Sequence, residues 1–242
     1  GMYHIGQQNY FYRINLERAD ELGRLCNAYD RFARGLAEKE IMGKMLSRSA
    51  RQAAGSEAET VAGGRRQFVV MYIGSLDFAS RLEKGSPAEL FKELKDQVAK
   101  LCRIILEEGG DIDKLMGDKI LGVFPADDGN ALAARCAAIN ATRRIIAAEQ
   151  AGEWSFPVAI GVNAGEVICG MLGFGARRDF TVIGDAVNVS ARVQKEAEKM
   201  QTARCLFSAS FVGGFPEKSG FDRHCLASLK GKSEKMPLYR RC

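Results

Sequence analysis

From Phe68 onward, short β-branched and aromatic runs alternate with longer segments whose apolar residues recur at helical spacing. Few architectures accept that alternation. "FVVMYIG" (68–74) reads as a strand. Ser86 and Pro87 then open a helix, serine as N-cap and proline at the first helical position. Leu90, Leu94, Val98, Leu101 and Ile105 give that helix one apolar stripe, and Gly109-Gly110 stop it. "DIDKLMGDKILGVF" reads as two short strands about Gly117-Asp118, although tight hairpins favour that pair in the reverse order. A second helix spans about Asn130 to Glu149. "FPVAIGVNAGEVICGML" reads as two strands around Asn163-Ala164-Gly165. "DFTVIGDAVNVSARVQKEAEKM" is a strand end running into a helix, and the strand "RCLFSA" and the tail "LASLKGKSEKMPLYRR" follow. The expected class is α/β (α+β): a mixed sheet with helices packed over it.

Ahead of this lies a different kind of sequence. Residues 15–50 predict helix, with Leu22, Leu25, Tyr29, Phe32, Leu36 and Ile41 at near-helical spacing. "RQAAGSEAETVAGGRR" (51–66) is small, polar and glycine-containing, a linker composition. The expected organisation is a helical segment (1–50), a linker (51–66) and one larger domain (67–242).

Composition narrows the function classes. The net charge of +5 over 242 residues comes without a block of like charge, so the surface suits an anionic small molecule better than nucleic acid. Seven cysteines form no CxxC pair and there are only two histidines, which argues against zinc and a disulfide framework and for a reducing, cytoplasmic setting. No apolar window is long enough to span a bilayer, so no direct membrane contact is expected of this chain. Gly1 before Met2 reads as an expression scar, and the chain as an excised fragment.

Three segments place glycine, acid and base together at strand ends, where ligand-binding loops sit. In the first, Asp118 follows Gly117 at a turn, either as a plain turn residue or as a carboxylate projecting toward a cation, with Lys114 four residues earlier. In the second, Asn188 and Arg192 stand four apart, on one face of a helix begun by Gly184-Asp185. That pair suits a phosphate or a developing oxyanion, or is simply an exposed polar face. Asp179 either accepts from a base amine or ends a strand. In the third, Lys230, Lys232 and Lys235 gather near one glycine, as a polyphosphate clamp or a solvated turn.

Taken in order, these segments resemble the class III nucleotidyl cyclase catalytic domain, the family of adenylate and guanylate cyclases, over about Arg66 to Arg241. "GGDIDKLMGDKILGVF" is similar to the family's metal-and-base hairpin. "VAIGVNAGEVICGMLG" followed by "RRDFTVIGDAVNVSARV" is similar to its most recognisable stretch. The resemblance implies a ferredoxin-like sandwich that converts ATP to cyclic AMP and pyrophosphate. Two divalent ions, Mg²⁺ or Mn²⁺, would be held by two aspartates in an in-line displacement. It implies Asp118 as metal ligand, Lys114 and Asp179 as readers of adenine rather than guanine, Asn188 as ribose orienter and Arg192 as the group stabilising the transition state. Lys232, and less firmly Lys230, would hold the terminal phosphates. Sites in this family form between two subunits, so a homodimer or a heterodimer with another cyclase domain is implied. "RADELGRLCNAYDRFARG" resembles the end of a HAMP signalling module and its coupling helix; the alternative is an amphipathic helix packing on its twin. The first reading implies a cytoplasmic output domain of a membrane-anchored signalling protein.

One position departs from the family. Its pattern at "FVVMYIGSLDFAS" is Asp, two residues, Gly, then Phe-Thr. Phe78 sets the register, so Gly74 stands at the first metal aspartate, Asp77 at the turn glycine and Ala79 at the threonine. Asp77 lies three residues on, about 10 Å along an extended chain and on the opposite face. Impaired catalysis is therefore expected. The alternatives are an inactive dimerisation module and a half-site donor to a second subunit.

Overall fold

The strand at "FVVMYIG" runs from Gly64 to Ser75 (β1) and is apolar toward both sides. Val69, Met71 and Ile73 enter one buried cluster, while Phe68, Val70 and Tyr72 enter another. Neighbours on a strand point to opposite faces, so an unbroken apolar run requires cover above and below the sheet. The structure is a computed structural model. It describes residues 12, 14–16, 18, 20–45, 64–83, 85–127, 129–174, 177–216, 220–228 and 235–241.

Helix α1 (Glu21–Met45) precedes β1. After β1 come α2 (Phe78–Leu82), α3 (Pro87–Glu107), β2 (Asp111–Met116), β3 (Lys119–Pro125) and α4 (Ala131–Gln150). Next are β4 (Val158–Phe174), β5 (Arg177–Ile183), α5 (Asp185–Ala197), β6 (Cys205–Ser208) and α6 (Ala209–Val212). β7 (Phe221–Ala227) and β8 (Met236–Arg241) close the order. The strands form one sheet in the order β2-β3-β1-β4-β6-β8-β7, with β5 paired to β4. β4 and β6 run parallel and the other pairings are antiparallel. This is the expected mixed sheet with helices.

Leu101 and Ile105 of α3 and Ala138 and Ile145 of α4 pack with Val69, Met71 and Ile73 on one face. Val189, Val193 and Ala197 of α5 pack with Ala159, Leu206 and Leu238 on the other. Helix α5 lies very close to the sheet. A Cβ on Gly161 would stand 2.2 Å from the Gln194 backbone nitrogen and 2.3 Å from the Ser190 carbonyl oxygen. Only a glycine in β4 lets the helix backbone approach so closely.

Several expectations are corrected. The two strands around Asn163-Ala164-Gly165 are a single strand, β4, whose pairing with β1 continues through those residues. A turn signal loses to the sheet because the Asn163 side chain finds its partners on neighbouring elements. Its Nδ2 donates to the Ala186 carbonyl at 2.9 Å, and its Oδ1 accepts from Ser208 Oγ at 2.6 Å and Ser210 Oγ at 2.9 Å. β1 begins at Gly64, inside the stretch read as linker, since Gly64–Arg66 pair with β4. The Gly117-Asp118 hairpin forms with Gly117 alone at positive φ (65°), the pattern of a primed turn that takes glycine first.

The chain divides into units at Gly1–Arg51 and Gln52–Cys242. In the first, helix starts at Glu21 rather than near residue 15. Asp20 Oδ1 accepts from Gly23 N–H at 3.1 Å, and Asp30 accepts from the amides of Ile14 (2.8 Å) and Asn15 (3.0 Å). Asp20 caps the helix start, and the Asp30 carboxylate holds residues 14 and 15 off the helical path. No described helix is long and apolar enough to cross a membrane. The six described cysteines are free thiols; burial pushes Cys102 up to about 11, which keeps it protonated and unreactive.

Candidate active site

The β2–β3 turn is fastened to the end of β1. Ser75 N–H donates to the Asp118 carbonyl at 2.9 Å, and Gly74 pairs with Lys119 on one side and Ala159 on the other. Asp118 is half-buried. Burial first, and the Asp118 charge second, raise the Tyr72 phenol. The fold therefore brings together the two positions that the sequence reading assigned to metal ligands.

At Gly74 itself the space beside the backbone is filled. A Cβ built there would stand 2.6 Å from Gln194 Nε2. Gln194 is 2% exposed, and its Nε2 donates to Glu198 Oε1 at 3.1 Å. A neutral amide thus faces the position from which a first carboxylate would project. Among the described residues no three His, Cys, Asp or Glu side chains stand within reach of one ion. One carboxylate and one amide do not fit a pair of divalent cations, which need several anionic oxygens at about 2.0–2.6 Å.

Asp77 follows in a left-handed conformation (φ 62°, ψ 1°) at the start of α2, and its side chain makes no capping hydrogen bond. Its carbonyl accepts from Arg81 N–H at 2.9 Å and Ser80 Oγ at 3.0 Å. Glycine adopts this backbone freely, aspartate at a modest cost and β-branched residues at a larger one. Asp77→Gly is expected to hold or raise stability by up to about 1 kcal/mol, and Asp77→Val to lower it by about 1–2 kcal/mol. Urea unfolding of the two variants checks the order.

The residues around Lys114 form a connected group. Lys114 Nζ pairs with Asp113 Oδ2 at 2.8 Å and donates to Thr181 Oγ1 on β5. Asp113, with a side chain 2% exposed, also accepts from Val182 N–H at 3.1 Å through Oδ1. Burial raises its carboxyl, and the Lys114 ammonium opposes that rise. Asp113 thus ties β2 to β5 while aiming the lysine. Thr181 and Asp113 were not singled out in the sequence. The available signal was a polar residue inside the apolar run "FTVIG" and an acid alternating with Asp111 on β2. Asp179 lies on β5 opposite Leu172, and its side chain is outside the described residues.

Helix α5 presents its apolar stripe to the sheet and leaves Asn188 exposed and Arg192 partly exposed. Among the described residues neither makes a side-chain hydrogen bond or ion pair with Lys114 or Asp118. Lys230 and Lys232 lie outside the described residues, and Lys235 is exposed just before β8. Gln194 was also missed; its signal was an amide set beside Val193 in the buried stripe of α5.

Comparison with known proteins gives a consistent picture. Residues 63–234 match the family model described as the adenylate and guanylate cyclase catalytic domain. An adenylate cyclase of Anabaena cylindrica is 30% identical over 246 residues, covering 92% of this chain and 48% of that protein. This chain thus spans about half the length of that relative. The structure of a bacterial light-regulated adenylyl cyclase superposes with a TM-score of 0.77 at 19% identity, covering 93% of this chain and 66% of that one. The guanylyl cyclase Cya2 superposes at 0.57 with 25% identity, covering 73% of this chain and 92% of that one.

Proposed function

Because the chain belongs to the adenylate and guanylate cyclase catalytic-domain family, we propose that it is an adenylate cyclase-type domain whose turnover of ATP to cyclic AMP and pyrophosphate is impaired in the homodimer. The observation that carries this reading is the amide of Gln194 packed beside Gly74, where a metal-binding carboxylate would be needed.

The choice of adenine rests on donors and acceptors. Lys114 offers only hydrogens and suits the unprotonated ring nitrogen of adenine, whereas guanine presents an N–H there. The Thr181 hydroxyl can accept from the exocyclic amine, and Asp179 is retained as a second candidate for that role. Asn188 would orient the ribose and Arg192 would neutralise charge gathering on the α-phosphate. Lys232, with Lys230, would hold the terminal phosphates. Mg²⁺ or Mn²⁺ would reach Asp118 with one carboxylate instead of two, and binding is expected to be weak.

A dimer is supported by an apolar surface on the same strands. Leu115 of β2, Ile168 and Leu172 of β4 and Ile183 of β5 are each more than half exposed, and Ile168 lies opposite Ile183. Clustered exposure of large apolar residues marks an interface. On α1, Leu22, Leu25 and Phe32 are exposed around a half-buried Tyr29, a spacing that suits a twin helix. This supports a helix that packs on its twin; a signal-input role of the HAMP-coupling kind, and a cytoplasmic output domain in a membrane-anchored parent, belong to the same proposal and rest on the sequence resemblance alone.

A second reading is favoured by one asymmetry. The base-side group of Lys114, Asp113 and Thr181 is assembled, while the metal side lacks its carboxylate. The chain would then act as a non-catalytic dimerisation module or lend its base-side half to a subunit carrying both aspartates.

The test is cyclic AMP formation by the purified chain with ATP and Mn²⁺ or Mg²⁺. Little or none is expected, and Lys114→Ala should weaken ATP binding about tenfold or more, the size of a lost charged hydrogen bond. Robust cyclic AMP synthesis that Asp118→Ala abolishes would overturn the impairment.

A further inference from the structure

A well-formed cavity among the described residues lies apart from the site described above. It measures about 910 Å³ and lies between α4, the turn after α5, β6 and the β7–β8 pair. None of Gly74, Lys114, Asp118, Thr181, Asn188 or Arg192 lines it. Its floor includes the buried Ile139, Cys205 and Phe207. Its rim carries Arg143, Lys199, Arg240 and Arg241, against two acids, Glu196 and Asp222. Both acids are already engaged, Glu196 with Lys199 at 2.7 Å and Asp222 with Arg240 at 3.9 Å. Among the described residues that leaves Arg143 and Arg241 without a carboxylate partner; Arg241 lies 5.7 Å over the Phe221 ring.

An apolar floor under two arginines unmatched by carboxylates selects for an occupant with an apolar body and an anionic head. The volume falls within the roughly 300–1,000 Å³ of small-molecule sites. We infer that this cavity is a second ligand site for a small amphipathic organic carboxylate, and that its occupancy is felt along α5. Glu196 stands one helical turn beyond Arg192 on that helix, and Lys199 follows its end. A carboxylate drawn to the rim competes with Glu196 for Lys199 and reorders the end of the helix that carries Asn188 and Arg192. The regulatory half of this inference rests on the proposed roles of those two residues; the binding half does not.

The experiment titrates the full chain, without nucleotide, with octanoate, with octylammonium (same body, opposite charge) and with acetate (same head, no body), followed by calorimetry. Octanoate is expected to saturate at one site per chain, with octylammonium and acetate at least tenfold weaker. Arg143→Glu combined with Arg241→Glu should weaken octanoate tenfold or more through charge alone. Ile146→Trp, at a half-buried lining position, should do so by filling the volume while leaving the charges in place. Failure of octanoate to saturate, equal binding of octylammonium, or unchanged affinity in both variants overturns the site. Hydrogen exchange of the amides of residues 185–199 should slow on octanoate binding; unchanged exchange at saturation overturns the link to α5. Because no step uses ATP or a metal, a failed cyclase assay leaves this result standing.

Discussion

Gly161→Ala is expected to destabilise the chain by about 3 kcal/mol, more than most single substitutions cost. The added methyl would meet backbone on both sides, the Gln194 nitrogen at 2.2 Å and the Ser190 carbonyl at 2.3 Å. No rotamer change relieves such a clash, so α5 must lift from β4 and give up the burial of Val189, Val193 and Ala197. The hydrogen bond from Asn163 Nδ2 to the Ala186 carbonyl would stretch with it. Urea unfolding measures the loss, and a change below about 1 kcal/mol would show that the close seating of α5 is not required. A lifted α5 also displaces Asn188 and Arg192, so ATP binding should fall in the fraction that remains folded.

Placing a carboxylate at residue 74, where the proposed function calls for one, is expected to fail unless Gln194 is cut back as well. In Gly74→Asp the new side chain enters a space held by an amide that is 2% exposed and tethered to Glu198. The substitution therefore pushes the Gln194 amide off Glu198 and desolvates a charge, at a cost of about 1–3 kcal/mol. Adding Asp77→Gly frees the turn but leaves the amide in place. Gly74→Asp with Gln194→Ala removes the obstruction and sets a second carboxylate near Asp118. The two substitutions should be non-additive by about 1–3 kcal/mol in unfolding, since they share one space. Mn²⁺ titration should show tighter binding only when both changes are present. If Gly74→Asp alone binds Mn²⁺ as tightly as the pair, the amide is not the barrier.

Much of the architecture could be read before any coordinates. The stripe Leu90–Ile105 became α3, and "DFTVIGDAVNVSARVQ" became β5 and α5, because patterned burial dominates where it runs over many residues. Asn163-Ala164-Gly165 misled because turn propensity is local, whereas the Asn163 amide is satisfied by Ala186, Ser208 and Ser210, residues distant in sequence. Of the proposed site residues, Lys114, Asp118, Asn188 and Arg192 stood out as charged or polar residues at strand ends and on a helix face. Thr181, Asp113 and Gln194 did not, since each owes its role to a neighbour on another element. No spacing rule predicts that a lysine on β2 will meet a threonine on β5.

That glycine stands at residue 74, where the family resemblance implies a metal carboxylate, was legible in the sequence through Phe78 and the register it sets. Tertiary packing decided what that glycine means. Helix α5 crosses the sheet closely enough at Gly161 to lay the Gln194 amide beside Gly74, so the gap is a packed contact and not an open pocket. A sequence states which atoms are present; which of them compete for one space depends on how closely two distant segments approach.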